Sequence, residues 1–471
     1  MTSPADLVPV SRQMVALGEA FAAAGHELHL VGGSVRDALM GREAPDADLD
    51  LTTDARPEQV LAILGPLAES TWTTGIEFGT VGARVGGQTF EITTFRADRY
   101  DRISRNPEVV FGDNLRDDLL RRDFTMNAMA VSVAGERVFT DPFGGLADLA
   151  RGVLRTPATP EESFADDPLR MLRAARFTST LGVSVADDVR AAMSAMAGEL
   201  GRITVERIQA EFSKLVLGAH PRAGLTLLVD TGLAGVFLPE LPALRMASDE
   251  HGQHKDVYAH TLQVLEQAID LEDGGPDLVL RLAALLHDVG KPATREFGPG
   301  GRVSFHHHEV VGARMTRRRL RELRYPKQVT EDVTQLVFLH LRFYGYRTGE
   351  WTDSAVRRYV VDAGPLLPRL HRLVRSDCTT RNVRKAQSLS RAYDTLEARI
   401  AELAEQEELA AIRPDLDGNQ IMALLEIGPG PLVGRAYKHL LALRMERGPM
   451  EFDEAVLELR HWYAEQTGSS S

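Results

Sequence analysis

Two acidic residues and a glycine pair form the first group in the chain that could do chemistry. In LVGGSVRD, Gly32 and Gly33 stand between an apolar run and a short helical stretch for which Ser34 is the expected N-cap. Backbone amides there are open to a phosphate, because no side chain blocks the approach and a helix N-terminus favours an anion. Arg36 adds a cation able to make charge-assisted hydrogen bonds to the same group. Taken alone, a Gly-Gly strand-to-helix turn is ordinary turn chemistry. Further on, DLDL places Asp48 and Asp50 on an apparent strand, pointing to one face. Adjacent carboxylates repel unless a cation lies between them. Oxygen ligands suit Mg2+, and two such ions about 3.5–4 Å apart can activate a hydroxyl and steady a leaving pyrophosphate. The bland alternative is an acidic strand edge facing solvent; the phosphate-suited turn upstream favours the metal. Glu91, in FEITTFR, is a candidate for a third acid beside them.

LVGGSVRDALMG followed by DLDL resembles the nucleotidyltransferase core of the DNA polymerase beta superfamily, in its class II CCA-adding and poly(A) polymerase branch. The segments LLRRDFTMNAMA, DPFGGLADL, DDPLRMLRAARF and TVERIQAEFSKLVLG agree with that branch in order, within about the first 220 residues. One departure is visible: the family usually has Glu then Asp before the Pro of DDPLRM, where this chain has Asp166 and Asp167. The charge is kept. In DDPLRMLRAARF, Asp167, Arg170 and Arg173 recur at threes and are expected along one helical face. A carboxylate accepts from an exocyclic amine, and a guanidinium donates to a ring nitrogen or carbonyl. Cytosine and adenine each offer an amine beside a ring-nitrogen acceptor, whereas uracil and guanine place a carbonyl there. An Asp–Arg pair would therefore select C or A without a template. The resemblance implies that Asp167 and Arg170 are that pair, that Arg173 and Arg176 face the nucleotide phosphates or ribose, and that Arg122 also contacts the nucleotide. Asp123 is then the anchor of the turn carrying Arg122. An intrahelical salt-bridge ladder is the plain alternative for the helix.

A second group lies in residues 254–377, which hold most of the histidines. His260 falls in VYAHTLQVL, His287 and Asp288 in LAALLHDVGKP, a histidine run covers 306–308, and His340 and Asp377 close the series. Imidazoles and carboxylates drawn from several helices suit a divalent transition metal. The His-Asp pair followed by Val-Gly-Lys-Pro is similar to the HD phosphohydrolase superfamily. That resemblance implies His260, His287, Asp288 and Asp377 as core ligands, with His308 and His340 as candidates for a second metal. Such a site would hydrolyse phosphoesters. Lys291 either neutralises a substrate phosphate or is a surface lysine past a helix end.

These groups need a scaffold. From about residue 27 to 155, short apolar strands alternate with helices, and a Gly-Gly hairpin joins GTVGARV to QTFEITTFR. From about 160 the pattern is helical and strand signals stop. The expected architecture is α+β: a mixed-sheet head (1–155), an all-α neck (156–244), an HD helical domain (245–385) and a helical tail (386–471). Phe124, Met126 and Met129 read as core residues. The opening stretch MTSPADLVPVSRQMVALGEAFAAAG reads as an amphipathic helix, not a signal peptide, because Asp6, Arg12 and Glu19 interrupt it. No later apolar run is long enough to span a bilayer. With 471 residues, 44% hydrophobic and 26% charged, the chain can build two or three packed domains. The single cysteine, Cys378, excludes an intramolecular disulfide framework and fits a reducing cytoplasm. A net charge of −13 argues against coating by nucleic acid through bulk electrostatics, although local basic faces such as Arg317, Arg318, Arg319 and Arg321 remain open.

Three function classes compete. An RNA-binding scaffold would have no use for intact carboxylate and arginine sets. A phosphohydrolase with a vestigial head would leave the first 220 residues idle. The expectation is addition of C, C and A to tRNA from CTP and ATP with Mg2+, with the HD module as an accessory acting on 2′,3′-cyclic phosphate or phosphate ends. Poly(A) polymerase and CC- or A-adding specialists share the same core. FRADRYDRISRNPEVVFGDNLRDDLLRRDFT resembles the full-length loop of enzymes that add all three nucleotides, and LDGNQIMALLEIGPGPLVGRAYKHLL resembles the tRNA-holding region.

Overall fold

A computed structural model describes residues 3–42, 49–96, 111–112, 114–133, 135–245, 256–299, 303–343, 351–379, 382–407 and 413–467. The chain divides between Phe237 and Leu238 into two compact units.

The first unit is built on a seven-stranded sheet, in the spatial order β3-β4-β5-β2-β1-β6-β7. Its strands are β1 (Leu28–Val31), β2 (Leu49–Thr53), β3 (Ser70–Trp72), β4 (Thr80–Val85), β5 (Gln88–Thr94), β6 (Ala130–Ser132) and β7 (Phe139–Thr140). Only β2 and β5 pair in parallel, so the sheet is mixed as the sequence predicts. That pairing sets Asp50 directly beside Glu91, on the same face. Gly86 and Gly87 take φ of 58° and 80°, the left-handed pair that a two-residue hairpin between β4 and β5 requires. Leu28, Leu30, Leu51, Val81, Phe90 and Ile92 fill the core with Phe21. Phe124, Met126 and Met129 are fully buried.

Three local features differ from the sequence reading, each for a backbone reason. The opening stretch is two helices, α1 (Pro4–Leu7) and α2 (Arg12–Ala23), because Pro9 cannot continue the first and Ser11 caps the second through Met14 N–H. Ser34 lies inside α3 (Gly33–Leu39), whose N-cap is Gly32 at φ 75°, a conformation open to glycine. The third concerns Asp167, expected within a helix. It ends α7 (Pro160–Asp166) at φ −137° and ψ 98°, and α8 begins at Leu169 and runs to Leu181. Pro168 forces this break by pushing the preceding residue out of the helical region. A fourth difference is strand structure beyond 160: β9 (Ser184–Val185) pairs in parallel with β8 (Val153–Leu154). Helix α10 (Val205–Val216) packs on α8.

Among its described residues the second unit is helical apart from the short hairpin β10 (Glu296–Phe297) and β11 (Val303–Ser304). Its centre comprises α14 (Val257–Asp270), α15 (Leu278–Leu286), α16 (His308–Glu322) and α17 (Lys327–Leu339), followed by helices over Asp353–Ala363, Leu367–Ser376 and Val383–Glu407. Among the described residues, no helix is long and apolar enough to cross a membrane.

Candidate active sites

In the first unit the glycine turn, one strand carboxylate and one arginine meet at a single point. A Cβ placed on Gly32 would lie 3.2 Å from Arg122 Nη1 and 3.4 Å from Asp50 Oδ2. The φ of 75° favours glycine there, and a Cβ would press on the ends of both side chains. Asp50 stands near the start of β2, half-buried. Asp48 lies outside the described residues, as do 97–110 and 113 of the loop segment. Arg122 Nε is buried with no hydrogen-bond partner in the described residues.

The predicted arginines are held by protein carboxylates and carbonyls. Arg36 is buried; its Nε and Nη2 each donate to Asp37 at 2.8 Å, and its Nη1 donates to Asn127 Oδ1 at 2.7 Å. Asn127 Nδ2 donates to Asp123 Oδ1 at 2.9 Å, and Asp123 Oδ2 accepts from Arg173 at 2.9 and 2.6 Å. Burial would raise the Asp123 pKa, but Arg173 and the hydrogen bond from Asn127 outweigh it and bring it down to about 2. Arg176 Nε meets Glu211 on α10 at 2.6 Å, and Arg173 reaches the same carboxylate at 3.6 Å. Arg36, Arg173 and Arg176 also lie over the ring of Phe177 at 5.1, 5.6 and 3.9 Å. Arg170 donates to Ser163 Oγ at 2.9 Å and to the Arg121 carbonyl at 2.5 Å. Asp167 Oδ1 accepts from Leu169 N–H at 3.1 Å, while Oδ2 accepts from Arg207 at 2.9 Å. The structure thus brings Asp50, Gly32 and Arg122 together, and links Arg36 to Arg173 through Asn127 and Asp123. The holding residues Asp118, Asn127, Arg207 and Glu211 escaped the sequence reading. Only Asp118 left a local signal, its spacing of three and four to Arg121 and Arg122.

In the second unit all six expected ligands converge. His260 Nε2 lies 3.0 Å from Asp377 Oδ1 and 3.4 Å from Asp288 Oδ2; His287 Nε2 lies 3.2 Å from Asp288 Oδ2. His308 Nε2 lies 3.3 Å from Asp288 Oδ1. The ligand atoms form two close groups, His260, His287 and Asp377, and Asp288, His308 and His340. Each imidazole is oriented from behind. His287, His308 and His340 donate Nδ1–H to the carbonyls of Ala284, Phe305 and Val337 at 2.8, 2.8 and 2.6 Å, and His260 Nδ1 meets Thr379 Oγ1 at 2.9 Å. That leaves Nε2 as the inward donor atom on every ring, the usual backing of metal-ligating histidines. His340 Nε2 is buried with no hydrogen-bond partner among the described residues, as expected of an atom that a cation would satisfy. Burial and His287 push His340 down to about 4, which keeps it neutral and able to ligate. Gly290 permits this closeness, since a Cβ there would sit 2.1 Å from the His308 carbonyl. Lys291 Nζ donates to Asp288 Oδ2 at 2.6 Å, and His306 and His307 of the histidine run are exposed.

Family models match in chain order: the Poly A polymerase head domain at residues 28–155, the probable RNA and SrmB-binding site of polymerase A at 182–244, and the HD domain at 257–408. Among curated proteins, the chain is 34% identical to an A-adding tRNA nucleotidyltransferase of Deinococcus radiodurans, covering 93% of this chain and 96% of that one. A CC-adding tRNA nucleotidyltransferase of Thermus thermophilus is also 34% identical, over 92% and 93%. A CCA-adding enzyme of Anoxybacillus flavithermus is 42% identical over 49% of this chain and 56% of that protein. The crystal structure of a Bacillus stearothermophilus CCA-adding enzyme in complex with CTP superposes with a TM-score of 0.68 at 25% identity, covering both chains fully.

Proposed function

The chain belongs to the tRNA nucleotidyltransferase family, and from that premise we propose that it adds C, C and A in turn to the 3′ end of tRNA from CTP and ATP, releasing pyrophosphate. The observation that carries this reading is the pairing of an acceptor, Asp167, with a donor, Arg170, at the head of α8, in the same unit as the junction of Gly32, Asp50 and Arg122. Asp167 accepts the exocyclic amine that cytosine and adenine share, and Arg170 donates to the neighbouring ring nitrogen. Gly32, Gly33, Arg36, Arg122, Arg173 and Arg176 supply the amides and positive charge for the triphosphate. Asp48 and Asp50 would hold Mg2+, which neutralises the triphosphate and lowers the pKa of the attacking 3′-hydroxyl. Residues 1–155 then act as the catalytic head and 156–244 as the base-reading neck, while 386–471 hold tRNA.

A second reading is favoured by one observation: two curated relatives matched along nearly their whole length are an A-adding and a CC-adding enzyme. One experiment separates these. A tRNA ending at the discriminator base is incubated with labelled CTP, then ATP, and products are sized. Growth by CC and then A supports the proposal. Growth by CC alone, growth by A only on a tRNA already ending in CC, or a long A tail each replaces it.

For the second unit we propose hydrolysis of phosphoesters, with 2′,3′-cyclic phosphate or phosphate ends of RNA as substrates. His260, His287, Asp288 and Asp377, joined by His308 and His340, would hold one or two divalent transition ions, which supply Lewis acidity toward a phosphoryl oxygen. Lys291 offers a cation at the same carboxylate. Turnover of a cyclic phosphodiester with Ni2+, Co2+ or Mn2+ tests this; no cleavage with any ion overturns the hydrolase reading.

A further inference from the structure

We propose that Asp118 is a positioning residue for nucleotide transfer, holding Arg122 at the glycine turn and, through the Arg121 carbonyl, Arg170 at the base. This rests on the reading above, in which Arg122 and Arg170 touch the incoming nucleotide. Asp118 lies in α5 (Leu115–Leu120), and its carboxylate is fully buried. Oδ1 accepts from Arg121 Nε at 3.1 Å, from Arg121 Nη2 at 2.9 Å and from the Arg96 N–H at 3.3 Å. Oδ2 accepts from Arg122 Nη2 at 3.3 Å.

Arg122 carries the argument. Its Nη2 is tied to Asp118, its Nη1 packs against Gly32, and its Nε remains buried without a partner among the described residues. A buried donor left open costs free energy unless something accepts from it. The guanidinium reaches the turn of Gly32 and Asp50 through Nη1, and an oxygen of a triphosphate bound at that turn is the acceptor that fits. The fork of a guanidinium binds phosphate well only when its plane is fixed beforehand, and one charge-assisted hydrogen bond to a buried carboxylate fixes it. On the other side, Arg121 caps α5 and its carbonyl receives Arg170 Nη2 at 2.5 Å. Clamping the Arg121 side chain therefore also steadies the acceptor that orients Arg170. The same carboxylate takes the Arg96 N–H, the last described backbone donor before residues 97–110. One buried anion thus joins the end of a strand, the phosphate arginine and the base arginine.

The test compares steady-state kinetics of the full chain for CTP and ATP on a matched tRNA. Asp118→Asn keeps the shape and removes the charge; KM for both nucleotides should rise on the order of tenfold, about 1.4 kcal/mol, with kcat changing much less. Asp118→Glu restores the charge in a larger side chain and should recover part of the affinity. A merely structural role gives the reverse order, because the larger Glu overpacks a buried site that Asn fits. Arg122→Ala and Arg170→Ala are measured alongside. If they raise KM and Asp118→Asn does not, the proposal falls and the nucleotide-contact reading stands. If neither arginine variant alters KM, that reading falls and takes the proposal with it. Failure of both Asp118 variants to fold, judged by circular dichroism, assigns the residue to folding alone and also overturns the proposal.

Discussion

Asp123→Asn should destabilise the first unit by an amount that depends on pH in a specified direction. Asp123 is buried, and each oxygen is used twice: Oδ2 by Arg173 Nε and Nη2, Oδ1 by the Phe124 N–H and Asn127 Nδ2. Its pKa falls from 3.8 to about 2. At ~1.4 kcal/mol per unit, the charged form contributes about 2.5 kcal/mol to folding. An amide also turns an NH2 toward donors on one side or the other, which adds about 1–3 kcal/mol. A depressed carboxylate pKa stabilises above the unfolded value and loses that effect as pH falls through the folded one. The charge-derived part of the gap between wild type and variant should therefore be flat above about pH 5, shrink from about pH 4 and vanish only below about pH 2. Urea titrations followed by Trp72 fluorescence, in a chain with Trp351 and Trp462 changed to Phe, report the first unit alone. A gap that is undiminished at pH 3 would show that packing, not charge, is the source, and no gap at pH 7 would refute the reasoning entirely.

Three further outcomes are expected. Asp50→Ala should abolish CTP and ATP addition while leaving hydrolysis of a cyclic phosphodiester intact, and Asp288→Ala should do the opposite; loss of both activities in either variant, measured side by side, would contradict independent sites. Asp167→Ala should let UTP and GTP compete with CTP and ATP in incorporation assays, since the acceptor for the exocyclic amine is gone. Gly145→Ala should cost more than about 2 kcal/mol in denaturant melts, because its Cβ would fall 2.1 Å from the Thr125 carbonyl oxygen, a backbone atom that cannot turn aside as a side chain can.

What the sequence made legible follows the range of the interactions involved. Gly32 beside a strand end, Asp50 on β2 and the His287–Asp288 pair are local patterns, and each holds its place in the described fold. The six residues that converge in the second unit were legible through the resemblance of the His-Asp-Val-Gly-Lys-Pro segment to the HD superfamily; spacing alone does not bring His260, His308, His340 and Asp377 to that pair. Long-range partners were not legible. Glu211 meets Arg176 from another helix, and Arg207 reaches Asp167 across forty positions of chain; nothing in the spacing of either segment points to the other. Two errors had a signal that periodicity masked. Pro9 splits the opening helix and Pro168 ejects Asp167 from α8, both by rules that apply to single residues.

That ejection bears on how a base could be chosen. Inside a helix, Asp167 and Arg170 would lie one turn apart on a common face, free to pair with each other. In extended geometry Asp167 instead receives Leu169 N–H on one oxygen and Arg207 on the other, while Arg170 is turned to Ser163 and the Arg121 carbonyl. Acceptor and donor are thus each fixed by a third group. Two groups that satisfied each other would have to separate before reading a base; two held apart offer an acceptor and a donor at once. The same division recurs around them, with Asp123 and Glu211 holding Arg173 and Arg176, and Asp118 holding Arg121 and Arg122. Each carboxylate offsets part of the positive charge that would draw any polyanion. Discrimination in such a site rests on where the donors and acceptors point more than on net charge.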